Sequence, residues 1–275
     1  MSGPAEKIVR DTSRASRIRA NEVSLVCSFD ALARLTGETL DEPDLYLYIT
    51  RLPSAYFNGV ARAQLTAGAV DTRIALVQAR LRQYGVPGTW WILPSSQPDD
   101  LERRLLAQGF TGPAEMPGMS IDLDSIADDL APPAAEVTIE RVRDAAQLAA
   151  YAEAGTAGWD MSSAMATGMR DALLRMEVTE HSPTRMYLAR LDGAPVATSL
   201  LVLGGGVAGI YNVGTVEHAR HRGIGAAVTV APLRDARALG YRVGVLQASA
   251  LGAPVYRRLG FQDDFTVRGY EWRPE

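Results

Sequence analysis

Between residues 137 and 142, apolar and polar side chains alternate (Val137, Thr138, Ile139, Glu140, Arg141, Val142), the period of a strand with one buried face. Asp144 then stands as an N-cap for a helical stretch over residues 145–154. Residues 185–190 and 196–203 read as apolar strands joined by the turn Asp192-Gly193, and Gly204-Gly205-Gly206 turns the chain into a third strand over 207–216. A helix is predicted over 223–239, ending at Gly240. Pro232 lies inside it and removes one ladder hydrogen bond, which predicts a kink. A short buried strand at 243–247, a short helix at 254–259 and a final strand at 265–272 complete this half.

The first half follows a related plan. Residues 45–50 and 58–65 suit paired strands and 72–84 a central helix. The strand at 88–93 then leads through a loop to the helix 101–106 and Gly109-Phe110. The second half ends the same way, with a strand, a loop, a short helix and Gly260-Phe261. A repeat half the chain long is far beyond a solenoid period and suits a duplicated domain. Between the halves lies a segment with Asp124, Asp128, Asp129 and the run Ala131-Pro132-Pro133-Ala134-Ala135. Proline fixes its own φ and biases the preceding residue away from helix, so this run reads as an extended linker. The expected organisation is one domain over 1–122, with 1–21 as an extension, a linker over 123–136, and a second domain over 137–275.

Composition narrows the class. The chain has 275 residues, 47% of them hydrophobic and 22% charged, enough apolar content for a core in each half. A net charge of −4 disfavours nucleic acid as a partner. No stretch approaches the roughly 20 apolar residues that cross a bilayer, so no membrane association is expected. Residues 1–21 lack the apolar core of a secretory signal. Cys27 is the single cysteine, which excludes a disulfide scaffold, points to a cytoplasmic location and reads as a small buried hydrophobe.

The chemistry concentrates after the strand 207–216. Arg220, His221 and Arg222 form a basic loop, and Gly223, Ile224, Gly225 and Ala226 open the next helix. A helix N-terminus leaves backbone N–H groups unpaired and favours an anion, and glycine lets a phosphate approach the backbone. Arg220 and Arg222 add charge at the same point, so the segment reads as a pyrophosphate cradle. On this segment alone, a glycine-rich helix start with two solvated arginines is the competing reading. A P-loop is excluded because no lysine follows these glycines. The dinucleotide fingerprint is also broken, since Val228 stands where its third glycine belongs.

Further on, Tyr256, Gly260 and Phe261 complete the pattern Y-x-x-x-G-F. Together with Arg220, Gly223 and Gly225, which fit [QR]-x-x-G-x-[GA], they make residues 137–275 resemble the GNAT superfamily of acetyl-CoA-dependent acyltransferases. A weaker resemblance without the loop covers about 22–122. The resemblance implies two α/β (α+β) domains, each a mixed, mostly antiparallel sheet flanked by helices, with splayed central parallel strands in the second. It implies acetyl-CoA as cosubstrate. The backbone of Val213, Gly214, Thr215 and Val216 would hold its pantetheine arm, and the amides from Arg222 to Ala226 its pyrophosphate. Tyr256 matches the position that protonates the leaving thiolate. Ser249 stands where many members have an Asn that contacts pantetheine, a contact its hydroxyl would replace or leave absent, and Glu217 stands where many have Pro.

The general base stays open among Glu217, His218, Tyr211 and Asn212. Strand alternation places Tyr211 and Asn212 on opposite faces, so that one of them faces the acceptor. The acceptor itself is expected to meet loops around 155–170, where Trp159, Met161, Met165 and Met169 form either an apolar wall or an ordinary core stripe, the latter preferred. Glu177, Glu180 and His181, on a predicted helix, lack a third metal ligand, and no metal is expected. The first half has Asp71 at the equivalent helix start, unfavourable for a phosphate, and Leu105 in place of the tyrosine. It therefore resembles a degenerate copy. The expected activity is acetyl transfer to an amine of a small molecule or a protein N-terminus by direct attack. A non-catalytic acyl-CoA sensor is the alternative, and a homodimer stays open.

Overall fold

A computed structural model describes residues 8–127, 129–131, 134–159 and 161–275. Residues 1–7 of the extension and the linker residues Asp128, Pro132 and Pro133 lie outside the described residues. The chain opens with the helix α1 (Arg14–Thr36), followed by strands β1 (Glu38–Glu42), β2 (Leu45–Ile49) and β3 (Asn58–Ala63). Next come α2 (Val70–Tyr84), β4 (Gly88–Ile92), α3 (Leu101–Ala107) and β5 (Thr111–Asp122). After β6 (Val137–Arg141), two helices, α4 (Ala145–Gly158) and α5 (Ser163–Leu173), precede β7 (Thr184–Leu191), β8 (Ala194–Gly204) and β9 (Val207–Thr215). The last elements are α6 (Ile224–Ala238), β10 (Val243–Gln247), α7 (Ala253–Arg258) and β11 (Gln262–Trp272).

The chain divides into two compact units, and neither is a continuous stretch. The larger comprises the residues up to Ser28 with Gly118–Asp264; the smaller comprises Phe29–Pro117 with Phe265–Glu275. The division expected from the linker, at 123–136, assigns both chain ends differently. In the structure the first half of α1 packs in the larger unit and the last strand, from Phe265, in the smaller one.

In the larger unit the end of β5 pairs antiparallel with β10, and β10 pairs parallel with β9. Antiparallel pairings then run from β9 through β8 and β7 to β6. In the smaller unit β1, β2 and β3 form an antiparallel meander, β3 and β4 pair in parallel, and β4 pairs antiparallel with β11. Each unit is thus a mixed, mostly antiparallel sheet with one central parallel pair, the predicted fold class.

Side-chain alternation assigns the two faces of the larger sheet. Ala208, Ile210 and Leu246 join Ile224, Val228 and Leu233 of α6 in one apolar cluster. On the other face Val207, Val243 and Val245 pack with Ala20 of α1. Glycines on this face admit the helix: a Cβ on Gly204 would meet Cys27 Sγ at 2.7 Å, and one on Gly209 would meet Ser24 Oγ at 2.3 Å. An ion pair on the buried Asp264 anchors the helix start, with Arg17 2.9 Å away and the other carboxylate oxygen accepting from Ser120 Oγ.

Two expectations are corrected. Residues 155–170 are not a loop but hold the end of α4 and most of α5, with Met165 and Met169 buried as core. Glu177, Glu180 and His181 lie in an irregular segment rather than on a helix. Among the described residues, no helix is long and apolar enough to cross a membrane.

Candidate functional site

β9 and β10 pair only at Ala208–Gly244 and Gly209–Val245 and part beyond. The reason lies in β9. Leu200 of β8 faces Tyr211, but Thr198, two residues away, faces Gly214, so β9 carries an extra residue there. Asn212 takes it up with φ of 51°, a left-handed value that Asn tolerates better than most side chains. Its carbonyl accepts from Thr198 Oγ1 at 3.2 Å. A bulge bends a strand and interrupts its regular pairing, so the opening between β9 and β10 is built into the backbone.

The bulge also resets the alternation. Tyr211 and Gly214 both face the helices α1 and α4: the Tyr211 hydroxyl lies 3.0 Å from Ser24 Oγ, and a Cβ on Gly214 would meet the Trp159 indole at 2.3 Å. Val213 and Val216 pack against the cluster of α6. Across this bulge the strand period no longer assigns Asn212 a face.

The glycine-rich helix start stands beside the mouth of the opening. Gly223 precedes α6 with φ of 76°, and space around its Cα is open. His221 is likewise left-handed at 62°. Arg220 and His221 are exposed, and Arg220 Nε donates to Thr215 O at 3.0 Å, folding the loop onto the end of β9. Arg222 is held by Glu136, with 2.9 Å between guanidinium and carboxylate. Ile224 is buried and anchors the helix, whereas Gly225 and Ala226 are half-buried; a Cβ on Gly225 would lie 3.4 Å from Thr215 Oγ1.

Tyr256 on α7 reaches the same helix. Its hydroxyl lies beside Thr229, whose Oγ1 donates to Gly225 O at 2.8 Å. Burial pushes the phenol up to about 12, with Thr229 pulling the other way, so it is a protonated donor at neutral pH. Its ring meets Phe261 edge to face at 5.8 Å. Ser249 is exposed, and its hydroxyl accepts from Gly252 N at 3.1 Å, closing the turn into α7. Glu217 and His218 lie exposed in a 3-10 turn, Glu217–Ala219. Thr229 and the α1 residues Asn21 and Ser24 had no sequence signal pointing to this region.

Residues 129–247 match the family model described as an acetyltransferase (GNAT) domain. Those residues, from the linker to the end of β10, carry a GNAT domain by sequence. Among solved structures, a GCN5-related N-acetyltransferase from Kribbella flavida is 19% identical, with a TM-score of 0.68 over 92% of this chain and 96% of that one. A conserved protein of unknown function from Staphylococcus epidermidis is 13% identical, with a TM-score of 0.65 over 88% and 96%. A tandem GNAT protein from the clavulanic acid biosynthesis pathway is 15% identical, with a TM-score of 0.57 over 84% and 79%. At these identities the likeness is one of fold. No curated protein matches this sequence.

The smaller unit has the same kind of central parallel pair, but its gap is closed. β3 and β4 pair in parallel at Gly59–Thr89 and Val60–Trp90, as β9 and β10 do at two positions. Farther along, however, the chain after β4 returns to the gap. Gln97 N donates to Ala63 O at 2.9 Å and Leu65 N donates to Gln97 O at 3.1 Å. At the start of α2, Asp71 is paired with Arg104 at 3.2 Å, and Leu105 is wholly buried in the core.

Proposed function

We propose that the larger unit is an acetyltransferase that uses acetyl-CoA and an amine acceptor, a small molecule or a peptide N-terminus. The observation that carries this reading is the opening between β9 and β10 beside a helix start whose glycines leave its backbone approachable. The residues fit the ligand on physical grounds. Val213 and Gly214, past the last parallel pair of β9, suit the amides of a pantetheine arm, whereas Thr215 O already accepts from Arg220 and Val216 bonds through both backbone groups to Val196 and Ala219. Gly223 leaves unfilled space where a side chain would stand. The amides from Arg222 to Ala226, with Arg220, Arg222 and His221, suit a pyrophosphate. When bound, acetyl-CoA supplies an acetyl group activated as a thioester.

The chain's own contribution is then to orient and to move protons. Tyr256, kept neutral by burial, donates its hydroxyl proton toward the leaving sulfur. Donors of this kind contribute about 10²–10⁴-fold to rate. Ser249 serves the turn into α7 and so supports Tyr256 indirectly. The smaller unit is read as a degenerate duplicate, with the linker at 123–136 marking the join of the two ancestral copies. The likeness in fold to a tandem GNAT protein supports that reading. The test is acetyl-CoA consumption with a panel of primary amines by the full chain and its Tyr256→Phe variant. Amine-dependent turnover that falls at least about tenfold in the variant supports the proposal; turnover with none of them favours a binding protein instead.

A further inference from the structure

One turn of α1 holds both lips of the opening. Ser24 bonds to Tyr211 on β9, and Asn21 bonds to Gln247, the last residue of β10. Tyr211 and Gln247 each stand two residues past the last parallel pair, Gly209–Val245.

The polarity of the second bond follows by elimination. Met119 O is a backbone carbonyl and can only accept. Asn21, wholly buried, reaches it at 3.1 Å and must do so with Nδ2. Its Oδ1 therefore points to Gln247, and since that oxygen also only accepts, Gln247 must present Nε2. Gln247 Oε1 is left over. It is buried and has no hydrogen-bond partner among the described residues. Reversing the Gln247 carboxamide would set two oxygens against each other, so this acceptor is locked in place. A buried acceptor without a donor is unfavourable, and such groups in native proteins call for a reason.

We infer that Gln247 Oε1 receives an amide N–H from the pantetheine arm of the acyl-CoA, and that Asn21 is the positioning residue that keeps it oriented. This rests on the acyl-CoA reading above. Within the cosubstrate, phosphate oxygens only accept and have nothing to offer a carbonyl, whereas the arm carries amide donors and has the slender form the opening between two strands admits. A helix that precedes the first copy in the chain thereby becomes part of the second copy's site.

The test is calorimetric titration of the full chain with CoA and with 3′-phospho-ADP, which keeps the nucleotide and its diphosphate but lacks the arm. Gln247→Met is expected to weaken CoA binding by about tenfold and to leave 3′-phospho-ADP unchanged. Asn21→Leu should weaken CoA in the same direction, and adding it to Gln247→Met should cost nothing further, because Asn21 acts through Gln247. Unchanged CoA affinity in Gln247→Met overturns the inference while leaving the acyl-CoA reading intact. Equal loss of both ligands also overturns it, since only a general disturbance of the site does that. A wild-type chain that binds neither ligand removes the acyl-CoA reading and this inference with it.

Discussion

Gln97 N donates to Ala63 O at 2.9 Å, across the gap in the smaller unit that corresponds to the open gap between β9 and β10 in the larger one. The two copies thus differ by more than their loop sequences. In one the bulged strand parts from its parallel neighbour, and in the other the chain after β4 bridges the gap itself. Removing Asp71 relieves the charge at the start of α2 but leaves the bridge through Gln97 intact. Asp71→Ala should therefore gain no second acetyl-CoA site, which equilibrium titration of the variant checks.

Tyr256 sets a pH expectation. Burial raises its phenol from 10.0 to about 12 in the folded chain, so the neutral form is favoured by folding. Its contribution to stability and to proton donation is whole below pH 10.0 and is lost as pH rises toward about 12. The difference in transfer rate between wild type and Tyr256→Phe should stay level up to that lower value and shrink above it. A difference that fades well below pH 10.0 contradicts a buried donor.

Gly214 is required by its neighbour. A Cβ there would stand 2.3 Å from the Trp159 ring, and Gly158 already packs on the backbone of Gly214 and Thr215. Gly214→Ala should push Trp159 and the end of α4 off β9. The expected loss is about 1–3 kcal/mol of stability, seen by denaturant unfolding, together with weaker CoA binding.

Asn58 is the corresponding structural keystone of the smaller unit. Its buried carboxamide accepts from Thr50 N and Arg51 N and donates to Leu52 O, Ser54 O and Pro87 O, all between 2.9 and 3.2 Å. Asn58→Leu leaves these backbone groups unpaired and should cost more than about 3 kcal/mol. Urea unfolding measures this. Acetyl-CoA stoichiometry should not change, because the ligand belongs to the other unit.

Much of this was legible from pattern. The strands 137–142, 185–190 and 243–247 alternate or run apolar, and the helix before Gly240 announces itself by its glycines and its stop. α1 was not legible, because its large buried apolar residues, Leu25, Phe29 and Leu32, occupy only its later turns, while the earlier ones bury Ala20, Asn21 and Ser24, small or polar side chains. β5 carries Gly112, Pro113, Pro117 and Gly118, which read as a loop. The bulge at Asn212 inserts one residue into an otherwise regular alternation, and no residue type in the sequence marks it. Arg220, Gly223, Gly225 and Tyr256 could be named from motif spacing, but the links through Thr229 and Asn21 depend on contacts between elements distant in the chain.

The central claim is that one open strand pair with its glycine-rich helix start binds acetyl-CoA. Calorimetric titration of the purified chain with acetyl-CoA tests it most directly, reading stoichiometry before affinity. One site per chain, abolished by Gly225→Asp, is the predicted result, because the added carboxylate stands beside Thr215 where a phosphate would approach the helix start. Two sites per chain, or binding that survives Gly225→Asp, would contradict it.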